Sequence, residues 1–323
     1  MTSIVKRVPA VVTVVVSVLV ACADAAAQHS AESAALATQV PIADVHFHLE
    51  RQFVPADIKV MLDRNNVRWA GGVGPFGLVV GSDFRQAFID ALGERYIATL
   101  GQPEFGVLYF KGGAGATENA ETPDFRALLQ RAEAEFKTGR LKGFGELFVN
   151  NQTSNSNPAF RRKIAADAPT VRAMYQLAAK YGGFVAMHME ADRDSLEQLD
   201  VLASIEPRAT VILSHCGVWA DAGTIRTLMD KQPNIHCDLA YRSPPAARQV
   251  PARFIFDETG VKREWLDLIE EKPDRFMIGT DAFCCDYGQA IDSFRKGLLP
   301  WLSPGTLRKV AYQNAQRLMK LSE

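Results

Sequence analysis

Neither sign of charge dominates this chain. Its 36 Lys and Arg stand against 37 Asp and Glu, a formal net charge of -1, so no bulk field gathers a polyanion and nucleic acid is not an expected partner. Long apolar runs are missing as well: the uncharged stretch Val8–Ala23 has sixteen residues, short of the roughly 20 that a membrane-spanning helix needs. No glycine-rich phosphate fingerprint follows the first strand pattern, which weighs against a dinucleotide-binding open sheet. The 5 cysteines lack zinc-finger spacing. What the chain does have is apolar mass. With 47% hydrophobic and 23% charged residues, it has ample surface to bury in a core and is not of disordered composition. At roughly 150 residues per domain its length admits two domains, or one barrel of alternating strands and helices.

Lys6 and Arg7 precede Val8–Ala23, the basic-then-apolar order of a secretory signal peptide. Leu19-Val20-Ala21-Cys22 has the form of a bacterial lipobox, which predicts lipidation of Cys22 and cleavage before it. Cleavage at Ala21-Cys22-Ala23 or Ala23-Asp24-Ala25 is the alternative and leaves a soluble periplasmic protein. Either outcome predicts an exported protein, periplasmic or lipid-anchored to the cell envelope. The chain then divides into a signal peptide over 1–21, a flexible Ala/Ser/Gln-rich tether over 22–40 and a folded domain over 41–323.

From Pro41 one grammar repeats: a short apolar run, a loop, then an amphipathic stretch. The spacing predicts strands over Ile42–Phe47, Arg68–Val73, Ile97–Gly101, Leu141–Val149, Gly183–His188, Thr210–His215, Asn234–Leu239 and Arg275–Gly279. Helical patterns lie between them at Phe84–Leu92, Phe125–Phe136, Val171–Lys180, Leu196–Ile205, Ile225–Met229 and Trp265–Glu270, and two more close the chain at Ile291–Leu299 and Leu307–Leu318. Eight alternations of this kind predict an α/β fold, a (β/α)8 TIM barrel.

Placed on those strands, the polar residues become informative. His46 and His48 are two apart in a strand, so both point to one face and can grip one ion. His188 ends the fifth strand, His215 the sixth, and Asp281 follows the eighth. Barrel enzymes draw their catalytic groups from such strand ends. Alone, either His188 or His215 reads as a core histidine and Asp281 as a helix cap; together, imidazoles and a carboxylate suit a divalent metal, most naturally Zn²⁺.

With these residues the sequence resembles the amidohydrolase superfamily, in its amidohydrolase 2 branch of metal-dependent hydrolases, lactonases and aromatic-acid decarboxylases. The resemblance covers nearly all of 41–323 and rests on His46-x-His48, His188, Ser214-His215-Cys216-Gly217, Gly279-Thr280-Asp281 and Asn314-Ala315-Gln316-Arg317-Leu318. It implies one or two divalent ions, with His46, His48 and His188 as ligands and Asp281 touching the metal and accepting a proton from water. It also implies that His215 polarises the substrate oxygen or binds a second metal. Binuclear relatives bridge two metals with a carboxylated lysine or a glutamate from the fourth strand, where this chain offers Glu146.

Glu146 is an acid in the apolar strand segment Gly143–Phe148, costly there unless paired or metal-bound; it reads either as a bridging ligand or as the partner of Lys142, Arg68 or Arg242. Arg242 reads as a clamp for a substrate carboxylate or as a rim salt bridge. Trp219 reads as a pocket wall or as packing for its loop. His236, near the start of its strand, points to a structural role at the far end of the barrel. The long Asn150–Pro169 connection, with its Arg161-Arg162-Lys163 run, reads as a binding loop or a solvated excursion. Apart from Cys22, the cysteines Cys216, Cys237, Cys284 and Cys285 allow three two-bridge connectivities. The expected activity is hydrolysis of an ester, lactone or amide bond of a small molecule. Decarboxylation of an aromatic or unsaturated acid is the alternative, and a noncatalytic binding protein on a decayed barrel is a third reading.

Overall fold

The computed structural model describes residues 31–50, 53–75, 82–155, 157–240, 242, 255–257, 260–282 and 286–322. All eight strand patterns appear in their expected places. They are β1 (Ile42–Leu49), β2 (Val67–Pro75), β3 and β4 (Tyr96–Ile97 and Thr99–Gly101), β5 (Gly143–Asn150), β6 (Phe184–Glu190), β7 (Thr210–Val218) and β8 (Ile235–Asp238), followed after a small antiparallel pair, β9 (Phe256–Asp257) and β10 (Gly260–Val261), by β11 (Phe276–Met277).

One sheet runs β1-β2-β3 and the other β4-β5-β6-β7-β8-β11, every neighbour parallel. β3 and β4 are halves of one segment parted by Ala98, so the two sheets share a strand. The ring closes where Val45 N donates to Ile278 O at 3.0 Å and Asp281 N donates to His46 O at 2.8 Å. The fold is a (β/α)8 barrel, with both faces of its strands covered. Val45, Trp69, Ile97, Ala186, Ile212 and Met277 fill the interior, while alternate residues such as Phe144, Val185, Leu213 and Ile235 pack in the larger cluster beneath the helices.

The helices are α1 (residues 31–39), α2 (Pro55–Arg64), α3 (Ser82–Leu92), α4 (Gln102–Gly112), α5 (Pro123–Lys137), α6 (Pro169–Tyr181), α7 (Arg193–Ile205), α8 (Ala222–Lys231), α9 (Arg263–Glu271), α10 (Tyr287–Ser293), α11 (Pro304–Arg308) and α12 (Asn314–Met319). Side-chain caps start several of them: Asp192 accepts from Ser195 N at 2.9 Å and Asp221 from Thr224 N at 2.7 Å. The two closing patterns are each interrupted by a π turn, at Phe294–Leu298 and Lys309–Gln313. The sequence pattern does not announce α2 or α4. In α4 the apolar residues Phe105, Val107, Leu108, Tyr109 and Phe110 crowd together and leave no polar face to set a helical period.

The stretch expected as a tether over 22–40 is helical from 31 to 39. Ser33 and Ala37 are buried, and Ser33 Oγ donates to Leu302 O at 2.5 Å, so this part is docked on the barrel rather than free of it. The rest of the tether, the signal peptide and Cys22 lie outside the described residues. So do Cys284 and Cys285. Cys216 and Cys237 form a disulfide between the neighbouring strands β7 and β8.

Candidate metal centre

At the C-terminal ends of the strands, four imidazoles surround one carboxylate. Glu146 Oε2 lies 3.7 Å from His46 Nε2 and 3.5 Å from His48 Nε2; its Oε1 lies 3.3 Å from His188 Nδ1 and 3.4 Å from His215 Nε2. Asp281 Oδ1 stands 3.6 Å from both His46 Nε2 and His48 Nε2, and its Oδ2 is 3.9 Å from His215 Nε2. Residues from β1, β5, β6 and β7 and the turn after β11 thus converge at one end of the barrel.

Second contacts fix the tautomers. His46 Nδ1 faces Asp238 Oδ2 at 3.0 Å, His48 Nδ1 faces Gly74 O at 3.2 Å, and His215 Nδ1 faces Ala240 O at 3.3 Å. A carbonyl can only accept, and Asp238 is held as a carboxylate, so each Nδ1 carries the proton and each neutral ring presents an Nε2 lone pair inward. Lone pairs therefore face carboxylate oxygens with no hydrogen between them, and the buried His46 Nε2 has no hydrogen-bond partner. Such an arrangement needs a cation.

The size also fits. Bonds of about 2.0–2.2 Å in a tetrahedron place neighbouring ligand atoms about 3.3–3.6 Å apart, and the contacts of His46 and His48 with Glu146 and Asp281 cluster near that value. Among the described residues, two groups meet the spatial requirement for an ion: His46, His48 and Asp281, and His46, Glu146 and His215. They form a divalent-metal site with room for one or two ions.

Electrostatics show the same demand. Burial disfavours a charged His46, yet the Asp238, Glu146 and Asp281 carboxylates outweigh it and push its pKa up to about 10. Burial alone would raise the Glu146 carboxyl, but the charge of His46 and the facing imidazoles of His188, His215 and His48 hold it well below its ordinary value. Burial likewise opposes ionisation of Asp238, and His46 with the His215 backbone amide overrides it. Without a metal, a proton on His46 supplies part of the missing positive charge.

His188 departs from the expected trio with His46 and His48. It lies across Glu146 from them, its Nδ1 3.2 Å from His215 Nε2 and its Nε2 3.1 Å from Ser154 Oγ. Burial pulls its pKa down. Glu146 pairs with the imidazoles and with none of its three expected cationic partners. Lys142 is at the opposite end of the strand, donating to Lys320 O at 3.3 Å, and Arg68 stacks on Trp69 at 4.7 Å.

Arg242 is neither an open clamp nor a rim group. Its buried guanidinium donates to the carbonyls of His215 at 2.7 Å, Ala220 at 3.0 Å, Cys216 at 3.1 Å and Gly217 at 2.7 Å. These bonds brace a turn in which His215, Cys216, Gly217 and Trp219 all have positive φ, a conformation that costs about 1–3 kcal/mol for a non-glycine residue. Trp219 is 36% exposed and donates from Nε1 to Thr153 Oγ1 at 2.9 Å, tying the loop after β7 to the loop after β5. His236 is buried beside Ile212 in the lower barrel, and burial lowers its pKa to about 3.

Sequence reasoning assigned no role to Asp238, Asp44, Ser154 or Glu190. Asp238 ends β8 and orients both His46 and the His215 backbone, accepting from His215 N at 3.0 Å. Asp44 accepts from Thr280 N at 2.9 Å and Thr280 Oγ1 at 2.7 Å, locking the barrel seam beside Asp281. Glu190 accepts from the backbone N–H groups of Thr153 and Ser154, each at 2.6 Å, which places Ser154 against His188. Two were signalled as acids within apolar strand segments, Asp44 in β1 and Asp238 in β8. At Gly279 a Cβ would meet His46 Cβ at 2.6 Å; the seam closes this tightly because no side chain stands there.

The amidohydrolase family profile matches residues 43–321. No curated protein matches. Among solved structures, an uncharacterised TIM-barrel protein from Bordetella bronchiseptica is similar at a TM-score of 0.55 and 16% identity, covering 82% of each chain. A 2,6-dihydroxybenzoate decarboxylase complexed with 2,6-dihydroxybenzoate is similar at 0.54 and 14%, over 88% of this chain and 99% of that one. An amidohydrolase from Burkholderia multivorans with bound zinc is similar at 0.50 and 15%, over 84% and 90%. At these identities the likeness is one of fold.

Proposed function

The chain belongs to the amidohydrolase family, as a metal-dependent enzyme of that superfamily, and from this premise we propose that it hydrolyses an ester, lactone or amide bond of a small molecule. One observation supports the metal chemistry this reading needs: Glu146 lies between two ligand groups, with His46 and His48 at one oxygen and His188 and His215 at the other. His46, His48 and Asp281 would hold one ion, and Glu146, His215 and His188 a second. Zinc is the metal this imidazole and carboxylate set suits best. When bound, the metal supplies Lewis acidity, polarising a carbonyl and lowering the pKa of water.

The chain's own residues do the rest. Asp281 is the most open of the cluster's carboxylates, its side chain 17% exposed, and is placed to take the proton of an attacking water. His215 faces Asp281 across the centre at 3.9 Å and, with its Nδ1 proton committed to Ala240 O, keeps its Nε2 lone pair for an ion. Ser154, Thr153 and Trp219 join two loops over this end and limit the access of bulk water.

Decarboxylation is the second reading, favoured by the fold likeness to the decarboxylase with bound 2,6-dihydroxybenzoate. Purified protein, assayed for metal content and then screened on lactones, esters, amides and aromatic acids in ¹⁸O-water, tests both. Label in the product together with chelator-sensitive activity supports hydrolysis; release of CO₂ without label rejects it. A noncatalytic role requires that no metal-dependent turnover be found and that His215→Ala leave the protein's measured function untouched.

Export to the periplasm, with Cys22 as the lipid attachment point, is part of the same proposal. The Cys216–Cys237 disulfide supports an oxidising compartment. Cell fractionation and the mass of the mature N-terminus test it.

A further inference from the structure

The opposite end of the barrel carries a second concave site. Where the strands begin, a cleft of about 460 Å³ opens between the end of α3, the start of β3, the turn into β5 and the segment after α12. Its volume falls within the roughly 300–1,000 Å³ of small-molecule sites. None of its wall residues belongs to the metal centre.

The charges in this wall do not balance. Arg140, Lys142 and Lys320 stand there with one carboxylate, Glu94, and among the described residues none of the three cations is in an ion pair. Lys142 is half-buried, while Arg140 and Lys320 are exposed. Their hydrogen bonds are sparse: Lys142 Nζ donates to Lys320 O at 3.3 Å, Lys320 Nζ to Tyr181 O at 2.9 Å and Arg140 Nε to Thr138 Oγ1 at 3.2 Å. An ammonium has three donors and a guanidinium five, so most of these donors are left for a ligand or for water.

The fold itself brings the two lysines together. Lys142 is fixed at the first rung of the sheet, its N donating to Ala98 O at 2.9 Å and its O accepting from Phe184 N at 3.3 Å. Lys320 ends α12 in the left-handed conformation, with φ 52°, where glycine or asparagine is usual. Its side chain lies over Gly182, where a Cβ would meet Lys320 Nζ at 2.6 Å. Burial and the neighbouring charge of Lys320 pull the Lys142 pKa down. Like charges held together in this way repel, and an anion in the cleft relieves the repulsion. Tyr96 adds a neutral donor to the wall, since its buried hydroxyl has no partner.

These features define a ligand class. Three cations against one carboxylate leave an excess of two positive charges, which matches a dianion. A phosphate monoester carries about −1.5 to −2 at pH 7 and offers three strong acceptor oxygens, and lysine binds phosphate well as a point charge. A single carboxylate supplies half that charge. Ile89 and Leu321 give the cleft an apolar side. We propose that this cleft is a second ligand site, separate from the metal centre, which binds the phosphate of a small soluble monoester whose organic part lies against Ile89 and Leu321.

Calorimetric titration of the full protein with phenyl phosphate, and with phenol as its neutral counterpart, tests the proposal. The metal is first stripped by chelator so that no ion at the centre takes the phosphate. Phenyl phosphate is expected to bind the wild type at one site, and at least about tenfold more weakly to Lys142→Met and to Lys320→Met, each of which removes a charge-assisted donor. No saturable binding at about 1 mM ligand overturns the proposal. So does equal affinity in the wild type and both lysine variants at matched melting temperature, or phenol binding as tightly as its phosphate. Should a lysine variant not fold, Arg140→Gln replaces it, at an exposed position, and undiminished affinity there counts in the same way. Phosphatidylcholine vesicles containing phosphatidic acid present the same group on a membrane. Cosedimentation of the wild type but not of Lys142→Met with them assigns the phosphate to a lipid and overturns a soluble ligand; failure of the vesicles to bind, with phenyl phosphate bound, supports one.

Discussion

Replacing Asp238 by Asn changes almost no volume and reverses one hydrogen bond. In the native site Asp238 Oδ1 accepts from His215 N at 3.0 Å and Ala240 N at 3.1 Å, while Oδ2 faces His46 Nδ1 at 3.0 Å. Asparagine has one oxygen. Two fixed backbone donors claim it, so its amide NH₂ turns toward His46 and makes Nδ1 an acceptor. The imidazole proton then moves to Nε2, the atom that faces Glu146 and Asp281 and that an ion needs free. Loss of such an outer partner weakens metal affinity by about 10- to 100-fold, or about 1.4–2.7 kcal/mol, and the reversed tautomer puts Asp238→Asn at the upper end. Asp44→Asn is the matched control. It also removes a buried negative charge near His46, but its partner Thr280 Oγ1 is a hydroxyl that can turn to accept from the new amide, so its effect should stay within about threefold. Zinc titration against a competing chelator, with melting temperatures in parallel, measures both variants. If Asp238→Asn binds zinc within twofold of the wild type, or if Asp44→Asn is equally impaired, the tautomer argument is wrong.

The metal-free protein should lose stability as pH rises from about 6.5 toward 10. The pKa of His46 is raised from 6.5 to about 10, so its stabilising contribution is complete below 6.5 and disappears as pH passes the folded value. Melting curves of stripped and zinc-loaded protein over that range test this, and a stripped protein with a flat profile contradicts it. Arg242→Met should destabilise by at least about 3 kcal/mol, because four buried carbonyls lose their donor; urea unfolding gives the number. Opening the Cys216–Cys237 bridge, which spans 21 residues, should lower stability by about 3 kcal/mol, read as the shift in urea midpoint between oxidised protein and Cys216→Ser/Cys237→Ser.

Much of the barrel is legible in the chain because its strands are buried on both faces and announce themselves as short apolar runs. The helices with a polar face are legible for the same reason, whereas α4, aromatic and uneven, is not. Polar residues at run ends marked His46, His48, His188, His215 and Asp281, since an ionisable group in such a setting needs a partner. Their mutual arrangement was not legible. His188 stands beside His215 rather than with His46 and His48, and that depends on how far β6 turns relative to β1 around the ring.

By itself the sequence determined the element order, the strand ends that carry chemistry and the chemical kind of ligand, because periodicity and residue type are local properties. The tertiary structure alone decided which groups pair. Arg242 is absorbed by four carbonyls, whereas the Arg162 Nε has no hydrogen-bond partner among the described residues, though both are arginines in loops after barrel strands. The fate of a charge depends on what surrounds it in space, and those neighbours come from segments far apart in the chain.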